Sequence, residues 1–161
     1  MARRKSSTPI MNWDSIPNDL FYQTDGGRFI SKFPYEKNDC TVISLGVVLN
    51  IDYDSAHKIL ADLGRDLFEP FSVQVHLSEF AKSGTVLNNH IITNIPFPPK
   101  KGKERMYVAA FCALYKTGKY ILNCPKHVLA VKDGIAYDTE WVPDDIVMNA
   151  YRFDKITVVG S

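Results

Sequence analysis

The chain of 161 residues carries a formal net charge of +1, nineteen Lys and Arg against eighteen Asp and Glu, and is 45% hydrophobic. That length suits one domain with a real core, and so even a charge balance gives no overall field to attract nucleic acid or an anionic membrane. No stretch approaches the ~18 apolar residues of a membrane span. The basic start "MARRKSST" runs into polar, proline-broken sequence rather than a secretion signal.

Residues 1–10 read as a flexible basic tail, and 11–161 as a single domain. Up to about residue 33 the chain looks irregular, with "TDGGRF" a turn and Phe21, Phe29, Ile30 and Phe33 as anchors onto the domain. "FPYEKNDCTVISLGVVLNI" then passes from a polar run to an apolar one at Cys40. Its β-branched residues suit a strand, but Asn38 and Asp39 are good cap types and the segment is apolar nearly all round, as a buried central helix is. "DYDSAHKILADLGRD" is a second helix, capped by Asp52 or Asp54 and stopped at Gly64, and "SVQVHLSEFAKSG" a third, stopped at Gly84.

"NIPFPPKKGKER" reads as a proline-rich basic loop. Beyond it "RMYVAAFCALY", "KYILNC", "HVLAV", "IAYDT" and "AYRFDKITVVG" are short β-type runs separated by turn residues. Helices first and strands afterwards predict an α+β fold, with the helices packed on a C-terminal antiparallel sheet.

A thiol attacks as its thiolate, which a helix N-terminus stabilises through unpaired N–H groups and the dipole. Cys40 occupies that position and needs a base with an orienting group. His57, His76 and His90 read as a surface residue, a helix residue and part of the polar run "LNNHI". His127 opens "HVLAV", which Asp133-Gly134 joins to "IAYDT" by a two-residue hairpin turn. That turn sets Lys132 opposite Ile135, Val131 opposite Ala136, Leu129 opposite Asp138 and His127 opposite Glu140. Asp138 is then the diagonal neighbour of His127 on one face. It is favoured as the carboxylate that holds the ring, with Glu140 the rival.

"NDCTVISL" followed by "GKYILNCPKHVLAVKDGIAYDT" resembles the papain-like cysteine peptidase superfamily, above all its small bacterial and bacteriophage members. The resemblance covers roughly residues 33–140. It implies a papain-like fold whose central helix starts at the cysteine, and a thiol hydrolase acting on a peptide or protein, a peptidase or isopeptidase. Cys40 would be the nucleophile, His127 the general base and then acid, and Asp138 the orienting third member. No metal or organic cofactor is implied. The oxyanion would be met by the Cys40 backbone N–H. Many relatives add a glutamine six residues before the cysteine, but Pro34 stands there, and Asn38 is the candidate replacement.

Two other readings compete. The missing glutamine favours an inactive papain-like fold that binds or inhibits a partner, a host protein if the phage likeness holds. Cys124 and His127, three residues apart, would form a metal site if Cys40 joined them, but the paired cysteines of structural zinc are absent. Nucleic-acid binding would rest on the tail and the Lys100 to Arg105 cluster alone. Cys112 reads as a small core residue. In a chain with no export signal the three cysteines are expected as reduced thiols in a cytoplasmic protein, the host's cytoplasm for a phage product.

Overall fold

A computed structural model describes residues 18–102 and 104–157, so the basic tail lies outside the described residues. Four helices pack against a six-stranded mixed sheet. The helices are α1 (Cys40–Leu49), α2 (Tyr53–Leu63), α3 (Val73–Ser83) and α4 (Val108–Leu114). The strands are β1 (Phe21–Gln23), β2 (His90–Pro96), β3 (Lys119–Cys124), β4 (His127–Lys132), β5 (Ile135–Asp138) and β6 (Asn149–Lys155), in the spatial order β1-β5-β4-β3-β6-β2.

The first three helices arise where caps and stops put them. α1 begins at Cys40 and ends against Asn50 in the left-handed conformation. In α2 the Asp52 side chain accepts the Ser55 N–H, and Gly64 closes the last turn. Thr41 to Leu45, Val48 and Leu49 of α1 are all buried, because the helix lies between α2 and strands β3 to β5. Burial on every side is what lets so β-branched a segment stay helical; packing outweighs propensity.

Alternation along the strands splits the core in two. Ile121, Val128, Ala130, Tyr151 and Phe153 pack with α1, α2 and α3 on one face. Tyr120, Leu122, Leu129, Val131 and Ala136 pack with Val108, Phe111 and Cys112 of α4 on the other. Central strands covered on both faces read as continuous apolar runs, as "YILNC" and "HVLAV" do.

Four expectations are corrected. The sheet is mixed, since β1 pairs with β5 in parallel while its other neighbours are antiparallel; a parallel pair needs a long crossover, which the chain from α1 to β4 supplies. "RMYVAAFCALY" contains a helix, not a strand: Val108, Ala109, Phe111 and Cys112 form a helical stripe facing the sheet. The loop read over "NIPFPPKKGKER" begins later, because Asn94 to Pro96 close β2, where Pro96 is tolerated at the sheet edge. Phe29 and Ile30 are not anchors, being 81% and 87% exposed, whereas Phe21 and Phe33 do pack on the two cores. No helix among the described residues is long and apolar enough to cross a membrane.

The Asp133-Gly134 turn forms as expected, with φ of 51° and 79°, and sets Lys132 opposite Ile135 and Val131 opposite Ala136. A Cβ on Gly134 would stand 3.0 Å from the Cys112 carbonyl oxygen and 3.4 Å from the Lys116 Cα. Gly134→Ala is therefore expected to lose roughly 2 kcal/mol of stability through backbone strain and crowding. Urea unfolding monitored by circular dichroism measures it, and an unchanged midpoint would contradict the steric argument.

Candidate active site

Cys40 is the first residue of α1, and Asp39 stands at the N-cap without capping. Its carboxylate accepts two bonds from Arg28 Nη1, at 3.0 and 3.1 Å, and one from the Tyr53 hydroxyl at 2.8 Å. Burial, then the bond to Asp39, raises the Tyr53 pKa well above its ordinary value, so that phenol remains a donor. The first-turn N–H groups of α1 are thus left without the carboxylate that an N-cap aspartate ordinarily offers them. A helix start of this kind favours a negative group beside it.

His127 opens β4 at the end of the sheet where α1 begins. Its Nε2–H donates to Asp138 Oδ2 at 2.5 Å, across the hairpin that Asp133-Gly134 closes. Asp138 is buried, its Oδ1 accepts the Thr139 N–H at 2.7 Å, and its carbonyl accepts the Thr24 N–H at 2.8 Å. Glu140, the rival orienter, is exposed. With Nε2 committed to Asp138, Nδ1 is the nitrogen left for the Cys40 thiol, which lines the same groove. Burial alone would lower the His127 pKa, but the bonds to Asp138 and Cys40 and their charges outweigh it and raise it from 6.5 to about 10. That direction favours the charged ring, the partner a thiolate needs.

Cys40, His127, Pro70 and Lys126 line both halves of one surface groove. The larger half, about 410 Å³, adds Thr41, Phe71, Ser72, Gln74, Asn123 and Cys124 among its lining residues. The smaller, about 250 Å³, adds Asn38, Asp39, Ile43 and Thr139. Asn38 is thus close to the sulfur. Its backbone is left-handed, φ 52°, and its Nδ2 donates to the Phe68 carbonyl at 2.9 Å, tying two loops together.

The other histidines are accounted for structurally. His57 corrects the surface reading: it is buried, stacks on Phe33 at 3.7 Å between ring centroids and donates from Nε2 to Glu36 Oε2 at 2.7 Å. His90 is buried, bonded to Asn88 O and Lys119 Nζ, and burial together with Lys119 and Lys155 lowers its pKa. His76 stacks on Phe71. Among the described residues no group of three His, Cys, Asp or Glu is placed to hold a metal ion. Cys124 is buried, and burial, then Asp145 and Asp138, pushes its thiol up; burial pushes that of Cys112 up to about 12.

What the sequence reading missed is the support beneath the cysteine. Glu36, four residues upstream, is buried and accepts bonds from His57, Arg65 Nη1 (3.1 Å) and the N–H groups of Phe68 (2.7 Å) and Lys37 (3.1 Å). Its only sequence signal is an acid in a polar run, which most often marks solvent. Comparison with known family models, curated proteins and solved structures finds no match to this chain.

Burial would raise the Glu36 pKa, but the bonds from Arg65, His57 and the two backbone groups hold it down at about 2, against an ordinary 4.5. A folded value below the unfolded one means the stabilisation is whole above pH 4.5 and is lost as pH falls toward 2. Glu36→Gln leaves Arg65 buried without its counter-ion and is expected to cost about 3–5 kcal/mol at pH 7. Equilibrium unfolding between pH 7 and 2 should show the variant's stability falling less steeply than the wild type's below pH 4.5; parallel curves would rule the network out as the cause.

Proposed function

We propose that this chain is a papain-like thiol hydrolase, a peptidase or isopeptidase, with Cys40 as nucleophile, His127 as acid and base, and Asp138 as the group that orients the ring. The observation that carries the reading is the His127 ring, held by the buried Asp138 and lining one groove with the Cys40 thiol at the start of α1.

In the first step Cys40 Sγ bonds to the carbonyl carbon of an amide. The developing oxyanion is met by the Cys40 N–H, with the second Nδ2 hydrogen of Asn38 as a further donor. As the C–N bond breaks, the His127 proton passes to the leaving nitrogen. In the second step neutral His127 takes a proton from water, the hydroxide adds to the thioester carbon, the C–S bond breaks, and the thiolate–imidazolium pair returns. Asp138 keeps the ring in one tautomer and stabilises its charge throughout.

The second reading, a binding protein on the same fold, is favoured by Pro34 at the position of the glutamine donor and by the commitment of the Asn38 amide to Phe68. Iodoacetamide separates the two. If the hydrolase reading holds, the folded protein is alkylated at Cys40 alone, because Cys112 and Cys124 are buried, and His127→Ala slows that reaction at pH 6 by roughly tenfold or more. An unreactive Cys40, or equal rates in both proteins, would leave only the binding reading.

On a fluorogenic peptide or isopeptide panel, His127→Ala should lower kcat/KM by ~10²–10⁴-fold. Because the folded His127 value is raised, the protonated ring persists through neutral pH and is lost as pH rises through about 10. The alkaline limb of kcat/KM is expected there, and a limb near the ordinary histidine value of 6.5 would refute the assignment.

A further inference from the structure

Asparagine is depleted in strands, yet three adjacent strands of this sheet carry one each and link them side chain to side chain. Asn149 of β6 donates from Nδ2 to Asn94 Oδ1 of the edge strand β2 at 2.8 Å. Asn123 of β3 donates from Nδ2 to Asn149 Oδ1 at 2.9 Å. The chain runs from the sheet edge inward and ends at Asn123, which is 9% exposed and lines the larger half of the groove.

The direction of donation fixes what Asn123 offers. One of its two Nδ2 hydrogens is spent on Asn149, which leaves at the cleft end of the chain the Oδ1 acceptor, with no partner among the described residues, beside the second Nδ2 hydrogen. An amide that donates becomes a better acceptor, so the chain polarises that oxygen toward the groove. Around it stand uncharged groups: Ser72, Gln74 and Thr41, the last with a buried Oγ1 lacking a hydrogen-bond partner. Phe71, Pro70 and Val128 supply apolar wall. Lys126 is exposed, and His127 is committed to Asp138.

We propose that this half of the groove is a specificity pocket for an uncharged primary carboxamide, the side chain of a glutamine or asparagine in the peptide, whose N–H₂ donates to Asn123 Oδ1. The apolar wall takes the methylene stem. A carboxylate has no hydrogen to give Asn123 Oδ1 and sets its charge against that oxygen, and an ammonium would enter with no counter-charge among the residues lining this half of the groove; both are disfavoured. The proposal rests on the hydrolase reading for its catalytic consequence, but the pocket itself binds without the thiol.

The test therefore has two arms. In the first, Cys40→Ala is titrated with acetylated peptides that differ only in carrying Gln, Glu, Lys or Leu at one position, following the side-chain amide signals of Asn123 by ¹H–¹⁵N NMR. The expected result is binding of the Gln peptide about tenfold tighter than the Glu peptide, with movement of the Asn123 signals. In the second, wild type and Asn123→Leu are labelled at Cys40 by peptidyl acyloxymethyl ketones carrying the same four residues. Asn123→Leu should abolish the carboxamide preference, bringing the labelling-rate ratio of the Gln probe to the Leu probe down to about one. Circular dichroism melting shows that the variant is folded, and Asn123→Asp, which keeps the shape but adds charge, should shift preference toward Lys.

Equal affinity for Gln and Glu peptides, or a carboxamide preference that survives Asn123→Leu, would overturn the pocket even if Cys40 is reactive. Failure of every probe to label Cys40, with tight Gln-peptide binding retained in the first arm, would overturn the hydrolase reading and leave the pocket standing.

Discussion

A carboxylate with no exposed surface must be surrounded by donors, because taking such an ion from water into a low-dielectric interior costs, in the idealised case, of order 20 kcal/mol. Glu36 meets that demand at both oxygens: Oε2 accepts from His57 and Arg65, and Oε1 from the N–H groups of Lys37 and Phe68. Arg65 then uses its other guanidinium nitrogen on the carbonyls of Lys37 and Asn38, at 3.1 and 3.4 Å. The three residues between Glu36 and Cys40 are thereby fastened to α2 and to the turn that follows it. The start of α1 cannot shift without exposing or unpairing a buried charge. The position of the sulfur depends on this hub more than on any contact the sulfur makes itself.

The same region shows two carboxylates removed from competition. Asp39, next to the sulfur in sequence, would raise a negative field at a helix N-terminus, but it is neutralised by Arg28 and held by Tyr53. Glu36 is neutralised by Arg65. What remains beside Cys40 is the positive end of the helix dipole and the His127 ring, whose pKa is raised. Asp138 lies behind the ring rather than on the sulfur, and the bond from the Thr139 N–H to its Oδ1 holds the carboxylate there, while the Thr24 N–H ties its backbone carbonyl. The electrostatics of the groove thus favour an anion at one point, where α1 starts.

Much of this was legible in the sequence where the controlling chemistry is local. The start of α1, the ends of α2 and α3, and the hairpin register follow from caps, glycines and the Asp133-Gly134 turn, all within a few residues of what they decide. The pairing of His127 with Asp138 inherits that register. The Glu36 hub was not legible because its partners lie 21, 29 and 32 residues away, and nothing in "YEKND" distinguishes a buried acid from a solvated one. His57 was misread for the same reason. "VAAFCAL" was ambiguous in itself: an apolar run of seven has no period to read, and packing on the face opposite α1 decides its form.

The hub also reaches the opposite wall of the groove. Phe68 sits at φ 67°, a region costly for a bulky side chain. It is held there from both ends, its N–H by Glu36 and its carbonyl by the Asn38 amide, itself on a left-handed residue. Such strain persists only where the surroundings over-determine it, and here the over-determining groups belong to the loop that delivers Cys40. Two residues beyond Phe68, Pro70 begins the wall shared by both halves of the groove, followed by Phe71 and Ser72 of the larger half. One buried carboxylate therefore sets the loop that delivers Cys40 and the facing wall relative to each other. That common fastening gives a physical reason for the chain to retain a buried ion network where a well-packed apolar cluster would be equally stable: an apolar cluster would fill the space, but it would not fix two backbone loops at hydrogen-bonding distance across the site.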